Sequence, residues 1–307
     1  MTAADQRLNA SPLRTAIDWG DIAPLRLRAR QVAEGVYAGA HRSARRGAGV
    51  EFGGFREYVP GDDLRWLDRR SLLRHDRLTV RQFETETERT LCLLVDATAS
   101  MAFRGSTAPA AKLAFASLLA AALTRVSIAS GDPVSLTFVG GDRVTRVPRG
   151  GGLEQFERVV GALEAVTPGG DAHVDGAIIE RSLLAATRSA RRGAIVVLLS
   201  DLLDTTPSAQ GRVAALAAAG YVLVVVQTLD PAEVDFPFTG TVRLRAHEGG
   251  SVVETDAETA RDRYLGAMAD LTETWREAVV RRGGRFLRMT TKDDAVQCVA
   301  AIVQAVR

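Results

Sequence analysis

Two cysteines, two lysines and four histidines are all that 307 residues hold of these types, and aromatic residues make up only 6% of the chain. Each scarcity excludes something. Cys92 and Cys298 give neither a disulfide framework nor zinc-ligand spacing. Cys92 lies within an apolar run and reads as a small core residue in a reducing cytoplasm. The polar stretch Met1 to Asn9 lacks the apolar centre of a signal peptide. The most apolar segments fall far short of the roughly 20 residues a transmembrane helix needs. A soluble, cytoplasmic protein with no membrane span is therefore expected.

Enzyme signatures are also missing. No Gly-x-Ser-x-Gly elbow occurs, and neither Lys112 nor Lys292 follows a glycine-rich phosphate loop. Gly47-x-Gly49 with Gly53 follows an arginine-rich stretch rather than a strand, so it does not read as a dinucleotide loop. His41, His75, His173 and His247 are scattered, with no His-Glu-x-x-His. A magnesium-dependent hydrolase remains the alternative, but no general base or second-metal cluster stands out. Charge of one sign is lacking too. With 39 basic against 37 acidic residues, the net charge of +2 creates no strong field for nucleic acid. A basic patch from Arg42, Arg45, Arg46, Arg65, Arg69, Arg70, Arg74 and Arg77 would suit a nucleic-acid-binding module. Asp62, Asp63, Asp68 and Asp76 interleave with it, and internal ion pairs are the expected fate of those arginines.

What the chain does have is an alternation of apolar runs and helical periods. Residues 1–21 read as a loose leader. A helix from Ile22 to about Ala40 opens an N-terminal segment, 22–89, rich in Arg, Asp and aromatic residues. From residue 90 to 307 the rhythm changes. Leu91–Val95, Val134–Val139, Ile195–Leu199 and Tyr221–Gln227 read as buried strands, with Arg143–Val147 and Arg285–Met289 as further strands. Helices are expected over Ala108–Ala129, Leu153–Val166, Asp175–Ser189, Ala209–Ala219, Glu258–Arg281 and Asp294–Val306, and a hairpin around Glu248-Gly249-Gly250. The pattern predicts an α/β domain: a doubly wound, mostly parallel sheet with helices on both faces. Nine or more apolar residues between Phe52 and Phe83 predict that the N-terminal segment packs on that domain.

In such sheets ligands sit at the carboxyl ends of strands where the strand order reverses. Directly after Leu91–Val95 comes Asp96-Ala97-Thr98-Ala99-Ser100. One acid and two hydroxyls at alternate positions point oxygens at one spot, which suits a hard divalent cation. Ser200-Asp201 follows the Ile195 strand and supplies a second acid. The competing reading is that these are ordinary helix caps.

Asp96-x-Thr98-x-Ser100 resembles the metal-ion-dependent adhesion site, Asp-x-Ser-x-Ser, of von Willebrand factor A domains. Gly49-Val50-Glu51-Phe52, Arg56-x-Tyr58 and Pro60-Gly61-Asp62-Asp63-x-Arg65-x-x-Asp68 resemble the signature of the bacterial domain-of-unknown-function 58 family. The likeness continues through Phe83-Glu84-x-Glu86, Ser200-Asp201 and Asp230-Pro231-x-Glu233. That resemblance implies a von Willebrand factor A-like fold, and the missing enzyme signatures lead us to expect no enzymatic activity. It also implies a MoxR-type AAA+ ATPase as partner, with this chain as adaptor in the chaperone-like maturation or assembly of an unidentified protein client. The implied cofactor is one Mg²⁺ or Mn²⁺ on Asp96, Thr98, Ser100, Asp171 and Asp201. Three positions depart from the family pattern. Thr98 replaces a serine; Gly169-Gly170-Asp171-Ala172 stands where Gly-Gly-Thr-Asp is usual; Arg69 replaces a tryptophan, with Trp66 near it in sequence. At the second departure either Asp171 or Thr167 supplies the missing oxygen, or the site is weakened.

Overall fold

The computed structural model describes residues 17–44, 55–57, 79–81, 89–142, 144, 146–170, 177–188, 190–203, 205–245 and 252–306. It divides into two compact units, Met1–Val36 with Arg89–Arg307, and Tyr37–Glu88. Helix α1 (Leu25–Ala44) leads from the first into the second. In the second unit a short antiparallel ribbon is described, β1 (Phe55–Glu57) on β2 (Thr79–Arg81). The signature residues Gly49 to Phe52, Tyr58 to Asp68 and Phe83 to Glu86, with Trp66 and Arg45, Arg46, Arg65, Arg69, Arg70, Arg74 and Arg77, lie outside the described residues. So does the packing expected of that segment.

The large unit is built on three apolar strands that are wholly buried: β3 (Leu91–Asp96), β4 (Val134–Val139) and β6 (Ile195–Ser200). Between β4 and β6 in the chain come β5 (Val147–Gly150), α3 (Gly152–Ala165) and α4 (Ile178–Thr187). Then follow α5 (Pro207–Ala218), β7 (Val222–Leu229), the short α6 (Pro231–Asp235), a hairpin β8 (Thr241–Arg245) and β9 (Val252–Asp256), α7 (Ala257–Val280), β10 (Arg285–Thr290) and α8 (Ala295–Ala305). Helix α2 (Lys112–Ala129) connects β3 to β4.

The central sheet has the order β10-β7-β6-β3-β4-β5, parallel except for β5. Counting only its own strands, that is the doubly wound order 3-2-1-4-5-6 read from the other edge, and the order reverses between β3 and β6. This is the von Willebrand factor A-like class expected from the sequence. Strand parity sorts the side chains onto two faces. Leu91, Leu93 and Val95 join the core under α1, α2 and α8, with Leu25, Ala29, Val32, Leu119 and Ile302. Cys92 and Leu94 join the opposite core, with Leu183, Val213 and Trp275 from α4, α5 and α7. Ile22 to Val36, grouped above with the N-terminal segment, thus belongs to the core of the sheet, and Gly35 leaves α1 room against Val296 of α8.

Two expectations are corrected. The edge strand described is Val147–Gly150, which shares only Val147 with the expected Arg143–Val147, where Arg143 and Thr145 lie outside the described residues; the turn after β4 holds Gly140 and Gly141 at positive φ and bridges Asp142 to Thr167, and Val147 pairs with Leu136. Secondly, α2 is long and apolar enough by composition to cross a membrane, with 18 residues and a mean hydropathy of 1.5. Its apolar character runs all round because 72% of it is buried within the fold, as a central core helix requires.

Candidate functional site

The sheet's switch point brings the strand-end acids together. Val95 pairs with Leu199, so the next residues, Asp96 and Ser200, emerge side by side at the carboxyl ends of β3 and β6. The Ser200 hydroxyl donates to Asp96 Oδ2 and accepts the Leu202 N–H at 2.9 Å. Asp96 Oδ1 accepts from the Thr98 N–H at 2.9 Å and from Thr98 Oγ1 at 2.7 Å. Thr98 Oγ1 stands 3.2 Å from Ser100 Oγ. Asp96, Thr98, Ser100, Ser200 and Asp201 are all buried.

Capping does not account for this cluster. Thr98 occupies the N-cap of the 3-10 turn Ala99–Ala102, yet its side chain makes no cap hydrogen bond and turns back to Asp96. Asp201 closes a local turn through Oδ1, which accepts the Leu203 N–H at 3.0 Å. Its other oxygen looks inward. Leu202, between them, has a left-handed backbone, φ 63°, which costs a non-glycine residue about 1–2 kcal/mol. The Ser200 hydroxyl and the complete burial of the Leu202 side chain hold it there.

A third loop closes on the first. Gly169 N–H donates to Ala97 O at 2.9 Å, and Ala99 N–H donates to Gly170 O at 3.2 Å. Asp171, the next residue, lies outside the described residues. Thr167 does not reach the centre: its hydroxyl and N–H both donate to Asp142 O, because the bridge to the β4 turn claims them. Gly140 sets the spacing. At φ 66°, a Cβ on it would meet Gly169 O and Thr98 Cγ2, each at 3.0 Å. Gly140→Ala is therefore expected to cost about 1–2 kcal/mol in backbone strain alone and to displace Thr98. Urea unfolding reads the first effect, and faster hydrogen exchange at Thr98 and Ala99 reads the second. A variant with unchanged stability would show that the loop tolerates the side chain.

Sequence reasoning passed over Lys112. Its ammonium is fully buried, 2.8 Å from Asp201 Oδ2 and 2.6 Å from Glu233 Oε1. Glu233 also accepts the Asp230 N–H in the capping box that starts α6, while Asp230 Oδ2 accepts the Gly105 N–H at 2.8 Å. One ionic network thus ties the β3–α2, β6–α5 and β7–α6 loops together. The available signal was a lone lysine in an apolar helix of an arginine-rich chain.

Electrostatics follow burial. Desolvation first, and the neighbouring Asp201 carboxylate second, push Asp96 up to about 6 against the hydrogen bonds from Ser200 and Thr98. Burial works against the Lys112 ammonium, but Asp201 and Glu233 outweigh it and hold its pKa above the usual lysine value. Burial raises the Glu233 carboxyl, with Lys112 pulling it back. Tyr264, packed on Phe236, is pushed up to about 12 by burial and then by Glu233.

The donor set fits a hard cation. Adjacent ligands of octahedral Mg²⁺, at 2.0–2.1 Å and right angles, stand about 3.0 Å apart; the Thr98 and Ser100 hydroxyls are already near that spacing. Among the described residues no three His, Cys, Asp or Glu gather as a metal cluster, so an ion here would depend on hydroxyl oxygens. A buried acid raised by desolvation and by the Asp201 carboxylate suits the same group.

The chain is 32% identical over 246 residues to uncharacterized proteins of Mycobacterium tuberculosis and Mycobacterium bovis, covering 80% of its own length and 76% of theirs. Among solved structures it is similar to the conserved hypothetical protein BatB of Bacteroides thetaiotaomicron, at 18% identity and a TM-score of 0.47, over 71% of this chain and 98% of that one. A von Willebrand factor type A protein of Catenulispora acidiphila gives 14% identity and a TM-score of 0.28, over 63% and 44%. The fold assignment rests on the strand order instead. Residues 54–274 match the family described as protein of unknown function DUF58, and with the relatives' identity this match shows that the chain belongs to that family.

Proposed function

We propose that this protein is a non-enzymatic, metal-dependent protein-binding adaptor that takes one Mg²⁺ or Mn²⁺ at the β3–β6 switch point. The observation that carries this reading is the convergence of Asp96, Thr98, Ser100, Ser200 and Asp201 in one buried oxygen cluster at the place where doubly wound sheets bind ligands. Thr98 and Ser100 would hold the ion directly. Asp96 would ligate it or its water. Asp201, with both oxygens engaged by Lys112 and Leu203, is suited to act through water. Asp171 is the further ligand that the sequence suggests. Few formal charges on the ion leave an open position for a carboxylate of the partner.

The family resemblance supports a MoxR-type AAA+ ATPase as that partner, this chain carrying the contact to the client and the ATPase supplying the energy. Free, buried Cys92 and Cys298 suit a reducing cytoplasm. The test is capture of the candidate ATPase on the immobilised full-length chain. Binding is expected with ATP and Mg²⁺ and at least tenfold less retention is expected in excess chelator with metal-independent nucleotide binding controlled. Equal capture in both conditions would remove the metal from the interaction, and robust ATP turnover by this chain alone would remove the adaptor role.

A further inference from the structure

We propose that Lys112 is the internal counter-cation of this centre: its ammonium fills the cleft between Asp201 and Glu233 that would otherwise draw a second divalent ion, and so holds the site to one. The inference rests on the metal reading above and says what limits that site.

Position and chemistry both point this way. Lys112 is the first residue of α2, and its side chain is wholly buried between the carboxyl ends of β6 and β7. The chain uses arginine almost everywhere else, yet this position has lysine. An ammonium is a compact point charge, whereas a guanidinium is a wide planar fork. The two carboxylate oxygens close on Nζ at 2.6 and 2.8 Å, and an ion with the roughly 2.0–2.1 Å contacts of magnesium would have to draw them inward once the ammonium is gone. A cleft of that size and charge suits a small cation.

Asp201 is the hinge of the arrangement. On one side it directly follows Ser200, whose hydroxyl bonds to Asp96; on the other it holds Lys112. Two-metal centres place their ions about 3.5–4 Å apart and clamp both attacking and leaving oxygens. A tethered ammonium paired with both Asp201 and Glu233 takes up the carboxylates that a second ion would need, which suits capture of a partner carboxylate rather than two-metal hydrolysis. It also fixes Asp201 Oδ2, so that this acid meets the ion through water.

The experiment counts Mn²⁺ per chain by calorimetry, with electron paramagnetic resonance to detect coupled pairs, on the full-length wild type, Lys112→Ala and Glu233→Gln. One ion is expected for wild type and two, magnetically coupled, for Lys112→Ala. Glu233→Gln makes the cleft more positive and should keep one ion at several-fold weaker affinity. A lysine with a merely structural role would leave the ion count at one and the affinity of Glu233→Gln unchanged, and either result in a folded variant overturns the proposal. If circular dichroism shows Lys112→Ala unfolded, the Glu233→Gln affinity decides alone: a fall supports the proposal and an unchanged value overturns it. If wild type takes up no Mn²⁺, the adhesion-site reading fails; a first ion gained by Lys112→Ala would then still support the counter-cation, and none would overturn both.

Discussion

Asp96→Asn is expected to make the metal-free protein more stable and to abolish its response to divalent ions. Asp96 and Asp201 are buried carboxylates on neighbouring strand ends, and among the described residues a buried cation, Lys112, is paired with Asp201 and none with Asp96. An ionised Asp96, buried and next to the Asp201 carboxylate, is costly, and asparagine keeps its shape and an acceptor for Thr98 while shedding the charge. The gain in chelator should be about 1–3 kcal/mol, the kind of stability commonly given up at a functional site. With Mn²⁺ at about a hundred times its dissociation constant, wild type should gain about 2.7 kcal/mol and the variant almost nothing. The order of stability therefore narrows or inverts on adding metal. Guanidinium unfolding of both proteins with and without Mn²⁺ checks it. A variant less stable than wild type in chelator would mean that Asp96 serves the fold through its hydrogen bonds alone.

The second large effect lies on the other face of the sheet. Trp275 of α7 is among the largest fully buried side chains and packs with Leu198, Leu202, Val213 and Val225. Its indole N–H donates to Thr205 Oγ1 at 3.2 Å, and that hydroxyl donates to Leu202 O at 3.0 Å. Trp275→Ala should cost about 3–5 kcal/mol, from lost burial and the cavity left behind. Because the indole braces Thr205 and the strained Leu202, the loop carrying Ser200 and Asp201 should loosen as well. Hydrogen exchange at Leu202 and Leu203 is expected to accelerate more than at β4. Trp275→Phe, which keeps most of the volume, should recover the larger part of the loss. A cost below about 1 kcal/mol for Trp275→Ala would contradict the two-sided core.

Much of this architecture was legible from the residues. The runs Leu91–Val95, Ile195–Leu199 and Tyr221–Gln227 are buried on both faces, so their apolar character is continuous and locates them within a residue or two. The hairpin of β8 and β9 and helix α7 were equally plain. Edge strand β5 was not, because Val147-Pro148-Arg149-Gly150 is mostly exposed and carries no period. Helix α2 was expected from Ala108, but it starts at Lys112 after Ala111 takes an extended conformation. Asp96, Thr98, Ser100 and Asp201 were found by their place after apolar runs, which is a property of sequence. Glu233 was visible only as part of the family likeness and Lys112 not at all as a site residue, since their pairing spans 121 residues and exists only once the sheet has formed. Ser200 was visible, but its bond to Asp96 depends on the strand register.

The central claim is that these loops hold a divalent ion. Calorimetric titration of Mn²⁺ into wild type, Asp96→Ala and Asp201→Ala tests it most directly. One ion per chain is expected for wild type, no measurable uptake for Asp96→Ala, and weaker uptake for Asp201→Ala, each variant retaining its native circular dichroism. If wild type and Asp96→Ala take up Mn²⁺ identically, the cluster at the switch point is a set of turns and hydrogen bonds, and the protein's partners are bound without it.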